Sequence, residues 1–342
     1  MKILFIGGTG TISMAITRAL AEKGEELYLL NRGSRTDDLP EGVRVIQADI
    51  HDEQDVREKL RGMDFDAVGD FIAFHPEDVE RDWRLFAGRT RQYLFISSAS
   101  AYHKPAASHL ITEGTTLANP HWQYSRDKIA CEEALMRHYR EEGFPVTIVR
   151  PSHTYDERSI PVGVHGAMGS WPVIRRMLSG KPVIIQGDGS SLWALTFNTD
   201  FAIGYTALLG NRHAIGEAFH ITGTENLTWN QIHQTIADAL GVALKPCHVA
   251  SDFLAAAGAP MGYDFGGSLL GDKAVSVVFD NSKIRRLAPD MVTHVPFHEG
   301  VRRAIAWIQA HPERQAEDPA FDAWCDRVIE AQERAKAFVI GG

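Results

Sequence analysis

Lys2-Ile3-Leu4-Phe5-Ile6-Gly7-Gly8-Thr9-Gly10-Thr11-Ile12-Ser13 opens the chain, and its reading decides the fold. The apolar run 3–6 has the length and burial pattern of a strand, glycines follow at once, and a helical pattern continues to about Glu22. Gly7 permits a tight turn, and Gly10 lets backbone N–H groups approach a pyrophosphate. The helix N-terminus adds partial positive charge. Gly7, Gly10, Thr11 and Ile12 are therefore the first candidate dinucleotide contacts. Where a third glycine would let helix and strand pack closely, this chain has Ser13, a residue small enough to keep the site after a slight helix shift.

The alternation continues outward from this stretch. Apolar runs at 27–30, 43–47, 67–71, 93–97 and 146–150 read as strands two to six, with helical patterns near 53–61, 77–86 and 124–139. Right-handed crossovers then make a doubly wound parallel α/β sheet, a Rossmann fold, the economical topology. After Arg150 the pattern changes. The segment 151–189 is rich in Gly and Pro, with one amphipathic helix near 173–178. Segments 196–209 and 218–221 read as a helix and a strand returning to the sheet. Segments 229–240 and 297–310 read as amphipathic helices of a smaller domain. The expected division is interleaved: 1–157 with 190–222 for the dinucleotide, 158–189 with 223–311 for the substrate, and a charged, surface-lying helical tail at 312–342.

The second strand ends at Asn31-Arg32-Gly33-Ser34-Arg35. An acid there would bind the ribose 2′-OH of NAD, whereas Arg accommodates the 2′-phosphate of NADP. With no acid and two arginines, NADP is favoured and NAD stays open; the plainer reading is that Arg32 and Arg35 only solvate a loop. Asp49, at the end of strand three, suits an adenine amine and equally suits an ordinary acidic turn. Ile50 and, after strand four, Phe71 complete the candidate cofactor set.

Tyr124 and Lys128 stand four residues apart on one helical face. A cation near a phenol stabilises its phenolate and makes it a usable acid/base at neutral pH. Eight tyrosines and ten lysines in 342 residues give about 0.2 such pairs by chance, so spacing alone proves little. Position adds weight, because this helix follows a strand whose end reads Ser97-Ser98-Ala99-Ser100-Ala101-Tyr102.

The glycine turn, the Ser-Ser-x-x-x-Tyr strand end and the Tyr-x-x-x-Lys helix together resemble the extended short-chain dehydrogenases, the NAD-dependent epimerase/dehydratase family. Arg150-Pro151-Ser152-His153-Thr154-Tyr155 resembles that family's Arg-x-x-x-x-Tyr segment. Gly187-Asp188-Gly189 with Thr196-Phe197-Asn198-Thr199-Asp200 resembles its later substrate-domain signature. The resemblance implies that Ser98 hydrogen-bonds the reacting oxygen, with Ser100 as the alternative hydroxyl. It implies Tyr124 as the acid/base, and Lys128 as the residue that holds the nicotinamide ribose and lowers the phenol pKa. The plain alternative for Ser98 is a satisfied strand-end hydroxyl.

Dehydratases of the family carry an Asp-Glu pair after the catalytic hydroxyl, and this chain has Ala99-Ser100 there, which disfavours dehydration. Epimerisation of a sugar or nucleotide sugar through a transient keto intermediate is expected first, and NADPH-dependent reduction of a carbonyl or sugar second. Members acting on nucleotide sugars commonly place an Arg soon after Gly-Asp-Gly; here Ser190-Ser191-Leu192-Trp193-Ala194 follows. Trp193 suits stacking on a sugar or a base, and suits packing at least as well. His153 is a further substrate candidate, with His75 and His103 near other strand ends. Arg175 and Arg176 suit a diphosphate or a solvated helix face.

Three dispersed cysteines, Cys131, Cys247 and Cys325, give no disulfide framework and point to a reducing cytoplasm. Fifteen histidines show no His-Glu-x-x-His or Cys-x-x-Cys spacing, so no metal is expected. A net charge of −9 without a dense basic block disfavours nucleic acid, and with it a non-catalytic Rossmann module for RNA or protein binding. No apolar run approaches the roughly 20 residues that span a bilayer. The resemblance further implies a homodimer through helices near 77–86 and 124–139.

Overall fold

The computed structural model describes residues 1–34 and 38–341, so Arg35 lies outside the described residues. In the first part, β1 (Lys2–Ile6), α1 (Thr11–Glu22), β2 (Glu26–Asn31), β3 (Arg44–Gln47), α2 (Glu53–Lys59) and β4 (Ala67–Asp70) follow in order. Then come α3 (Pro76–Phe86), β5 (Tyr93–Ile96), α4 (Gln123–Glu142) and β6 (Val146–Pro151). The second part holds β7 (His153–Tyr155), α5 (Trp171–Leu178), β8 (Val183–Gln186), β9 (Leu192–Trp193), β10 (Leu195–Phe197), α6 (Asn198–Leu208) and β11 (Ala218–Ile221). After it come β12 (Leu227–Thr228), α7 (Trp229–Leu240), β13 (Pro246–Val249), α8 (Ser251–Gly258), a π-helical segment (Gly266–Lys273), α9 (Ser282–Leu287), α10 (Phe297–Ala310) and α11 (Pro319–Ile340).

Seven parallel strands form the central sheet in the order β11-β6-β5-β4-β1-β2-β3. The order reverses between β1 and β4, and a crevice opens there at the strands' carboxyl ends. Alternation along each strand sends Ile3 and Phe5 to one face and Leu4 and Ile6 to the other. The first face packs on Ile16 and Leu20 of α1 and on Phe201 and Tyr205 of α6. The second packs on Val79 and Leu85 of α3 and Leu135 of α4. β4, β5 and β6 are buried at every residue, as central strands covered on both faces must be.

A third core gathers the second part of the chain around Trp193, Trp229, Ile236, Val301 and Ile305. Three expectations change here. The segment 151–189 holds strands beside its expected helix, since β7 pairs with β10 and β8 with β13. Residues 195–197 are strand, so the helix expected from Thr196 begins at Asn198. The tail helix is not a surface element throughout: Phe321, Trp324, Cys325 and Val328 are buried in the third core, and only the later turns stand in solvent.

Candidate active site

The turn after β1 is built as the glycines require. Gly7 and Gly8 have φ of +97° and +94°, and a Cβ on Gly8 would lie 2.5 Å from Leu29 Cδ2. Ser13 does more than replace a glycine. Its hydroxyl accepts the Gly10 N–H at 2.9 Å, which caps α1, and the residue is buried. The first helical bond is donated by Met14 N–H to Gly10 O, so the N–H groups of Thr11, Ile12 and Ser13 have no acceptor inside the helix.

In front of this turn lies a cavity of about 450 Å³ lined by Gly7, Gly10, Asn31, Arg32, Asp49, Ile50 and Phe71 among others. Thr11 and Ile12 sit beside it in the first turn of α1, with Ile12 packed on the core. Asn31 Oδ1 accepts Gly33 N–H at 2.9 Å, while its buried Nδ2 has no partner among the described residues. Asp49 accepts His51 N–H at 3.1 Å, which is the turn role that also suited it. Asp70 shapes the loop carrying Phe71 by accepting the N–H groups of Ile72 (2.6 Å) and Ala73 (2.8 Å). A glycine cradle that excludes a Cβ, open helix N–H groups and an orphaned amide fit a pyrophosphate with its ribose.

A second cavity of about 310 Å³ is lined by Ser98, Ser100, Tyr124, His153 and Trp193, joined by Lys104, Trp122, His165, Asp272 and Lys273. Ser98 Oγ is 2.8 Å from Ser100 Oγ and accepts Ser100 N–H at 3.1 Å. Ser125 Oγ donates to Ser100 Oγ at 2.7 Å, so Ser100 sits inside a hydroxyl chain. Burial pushes the Tyr124 phenol up, and the Ser98 hydroxyl pulls it back. Lys128, 2% exposed, donates to the carbonyls of Ala73 (2.6 Å) and Ile96 (2.8 Å), and its Nζ lies 5.9 Å from the centre of the Tyr124 ring. Burial pushes this ammonium down to about 8. Its charge is held on two carbonyls, and burial rather than the cation dominates the phenol.

His153 and Trp193 meet through a bond from the indole N–H to Nδ1 at 3.2 Å. Trp193 lies on β9 rather than in a turn and packs against Trp229, so most of its ring is core. Burial, helped by Lys273, pushes His153 down to about 3, which keeps it neutral. His75 and His103 are exposed and outside this cavity. Arg176 is buried and paired with Asp322 and Asp326, and Arg175 is paired with Glu317; neither is placed to meet a ligand phosphate in the cavity.

Sequence reasoning missed Lys104, His165, Asp272 and Lys273, which reach the cavity from loops and from the π-helical segment. It also missed the buried pair behind the site, in which Arg150 Nε donates to Glu132 at 2.9 Å and Arg150 Nη1 to Tyr102 Oη at 3.1 Å. No group of three or more His, Cys, Asp or Glu among the described residues is arranged to hold a metal. No helix among them is long and apolar enough to cross a membrane.

The chain is 27% identical over 255 residues to 2′-dehydrokanamycin reductase of Streptomyces kanamyceticus, covering 75% of this chain and 71% of that protein. It is 25% identical over 254 residues to the chloroplast stem-loop binding protein of 41 kDa b of Arabidopsis thaliana, covering 70% and 63%. The solved structure of UDP-glucuronic acid 4-epimerase from Bacillus cereus, in complex with NAD, superposes with a TM-score of 0.69 at 19% identity over 91% of this chain and 99% of that one. A family model for the NAD dependent epimerase/dehydratase family matches residues 3–222. With its glycine turn at the sheet's switch point and a Tyr-x-x-x-Lys helix beside the Ser98 strand end, the chain is an NAD(P)-dependent enzyme of the extended short-chain dehydrogenase type and belongs to the NAD-dependent epimerase/dehydratase family.

Proposed function

We propose that this protein is an NAD(P)-dependent epimerase acting on a sugar or nucleotide sugar through a transient keto intermediate, with NADP the favoured dinucleotide. One observation carries the reading: Ser98 and Tyr124 line one cavity, with Lys128 behind the Tyr124 ring and bonded to the Ala73 carbonyl, which follows Phe71 and Ile72 of the dinucleotide cavity. The dinucleotide, when bound, supplies hydride acceptance and return. Tyr124 is the acid/base in this reading: it takes the proton of the reacting hydroxyl as the keto group forms and returns it as the keto carbon is reduced on its other face. Ser98 donates to the reacting oxygen, and Lys128 holds the nicotinamide ribose. Ser100 keeps Ser98 in place through the 2.8 Å contact, and His153 and Trp193 wall the substrate. Dehydration stays disfavoured, because Asp272, the one carboxylate lining the cavity among the described residues, is held in an ion pair by Lys104.

Arg32, which lines the dinucleotide cavity where no acid closes β2, favours a second reading as an NADPH-dependent reductase. The reductase relative supports it. A non-catalytic RNA- or protein-binding role draws support from the stem-loop binding relative, but the retained Ser98, Tyr124 and Lys128 and the charge of −9 weigh against it. By resemblance, the working assembly is a homodimer through α3 and α4.

The deciding experiment is mass spectrometry of the dinucleotide released on denaturing gently purified protein. Stoichiometric NADP or NAD supports the epimerase and identifies the ribose substituent at Arg32. Protein that emerges empty and binds NADPH reversibly supports the reductase. Failure to bind either dinucleotide refutes both.

A further inference from the structure

Of the two lysines that line the substrate cavity, one has no anionic partner among the described residues. Lys104, itself buried, and the half-buried Asp272 neutralise each other in an ion pair. His153 and His165 are both pushed down by burial and by Lys273, so both are neutral near pH 7. Lys273 remains, and among the described residues its ammonium has no carboxylate and no hydrogen-bond acceptor. Burial pushes this half-buried ammonium down, with Asp272 opposing the shift and Lys104 adding to it, so an anion brought against it would supply the partner it lacks.

The backbone around Lys273 is fixed. Its carbonyl accepts Trp229 Nε1–H at 3.0 Å and Ser191 Oγ–H at 3.3 Å. The residue ends the π-helical segment, whose close seating against α4 needs a glycine: a Cβ on Gly267 would lie 2.1 Å from Trp122 Cδ1. Asn119 ties the segment to the catalytic strand end, donating to Gly271 O at 2.8 Å and to Ser100 O at 3.0 Å. π-Helical turns recur at functional sites because they displace a side chain out of helical register. Here that side chain is an unpaired cation on the wall that Ser98 and Tyr124 share.

We propose that the Lys273 ammonium receives an acidic group of the substrate, a carboxylate or a phosphate monoester, and selects against substrates that are cationic there. The proposal rests on the sugar-substrate reading above and adds its charge. Lys104, held by Asp272, is a positioning residue in this account and does not bind the acid.

The test measures binding to dinucleotide-loaded protein by quenching of its tryptophan fluorescence. The probes are galacturonate against methyl galactoside, glucose 1-phosphate against glucose, and glucosamine as the cationic control. Wild type should bind the acidic member of one pair at least about tenfold more tightly, the value of one charge-assisted hydrogen bond, and glucosamine most weakly. The pair that shows the preference identifies carboxylate or phosphate. Lys273→Met and Lys273→Gln should lose the preference, and Lys273→Arg should keep it. Absence of an acid preference in wild type overturns the proposal whether or not the variants fold. A preference that survives in Lys273→Met or Lys273→Gln also overturns it. Dinucleotide content is measured on the same samples, so failure of the enzyme reading shows there and not in the acid preference.

Discussion

Replacing Lys128 by Met should change the pH dependence of stability in a direction that the structure fixes. The ammonium is buried and pushed down to about 8, against about 10.4 for a free lysine. Below pH 8 the lysine is protonated in both the folded and the unfolded chain, and the buried charge burdens the folded state. Above pH 8 the folded chain releases its proton while the unfolded chain keeps it until about pH 10.4. The unfolded state then binds more protons, so stability rises with pH. The whole interval is worth roughly 3 kcal/mol, of which roughly 2 kcal/mol falls between pH 8 and 9.5. The bonds to the Ala73 and Ile96 carbonyls disappear in the variant at every pH and enter as a constant offset. Cys131, the neighbouring thiol, is pushed up to about 12 in the folded chain; it titrates at about 8.5 in the unfolded chain of wild type and variant alike, so it cancels from their difference. Urea unfolding of dinucleotide-free wild type and Lys128→Met at pH 7, 8, 9 and 9.5 should show wild type gaining on the variant by that amount. A difference that is flat, or that moves the other way, refutes the buried-cation reasoning.

Three further outcomes are expected. Tyr124→Phe should lower turnover by about 10²–10⁴-fold with dinucleotide content unchanged, read by steady-state assay and by mass spectrometry of the released nucleotide. Gly8→Ala forces a Cβ to 2.5 Å from Leu29 at a φ of +94°, so thermal unfolding should show at least about 1 kcal/mol of destabilisation and titration a loss of dinucleotide affinity. Glu132→Ala strands the buried Arg150 guanidinium and should cost about 3–5 kcal/mol in urea unfolding, whereas Glu132→Leu combined with Arg150→Met should recover much of it.

The parts legible in the sequence are those governed by local periodicity. The six strands expected before Pro151 all form, within a residue or so at each end, and α7 and α10 match the expected segments residue for residue. β8, β13 and the π-helical segment escaped because each is short and is defined by a partner far away in sequence, as Val183 pairs with Pro246. The buried face of α11 was legible in principle, since Phe321, Trp324, Cys325 and Val328 keep the 3,4 spacing of one helical stripe. The charges that follow them obscured it. The site divides in the same way. Tyr124 and Lys128 share a helix face and announce themselves, while Lys104 and Lys273 sit 169 residues apart in segments with no period.

That division has a physical reason. The sheet, its glycine turn and the Ser98–Tyr124–Lys128 corner are assembled by short-range rules, so every chain with this chemistry must write them in a similar way. The far wall of the cavity has no such constraint: β9, the π-helical segment and the loop after Tyr102 only need to bring side chains of the right charge and shape over the reacting carbon. Here they are held by bonds that cross the chain, Asn119 to Gly271 and Trp229 to Lys273, and by the Lys104–Asp272 pair. Loss of Asn119 would therefore disturb both walls together, since its amide spans Ser100 on the catalytic side and Gly271 on the other. On the proposed function, the reacting groups come from the first half of the chain, and substrate choice falls to the wall tied to it from the second half and from the loop after Tyr102.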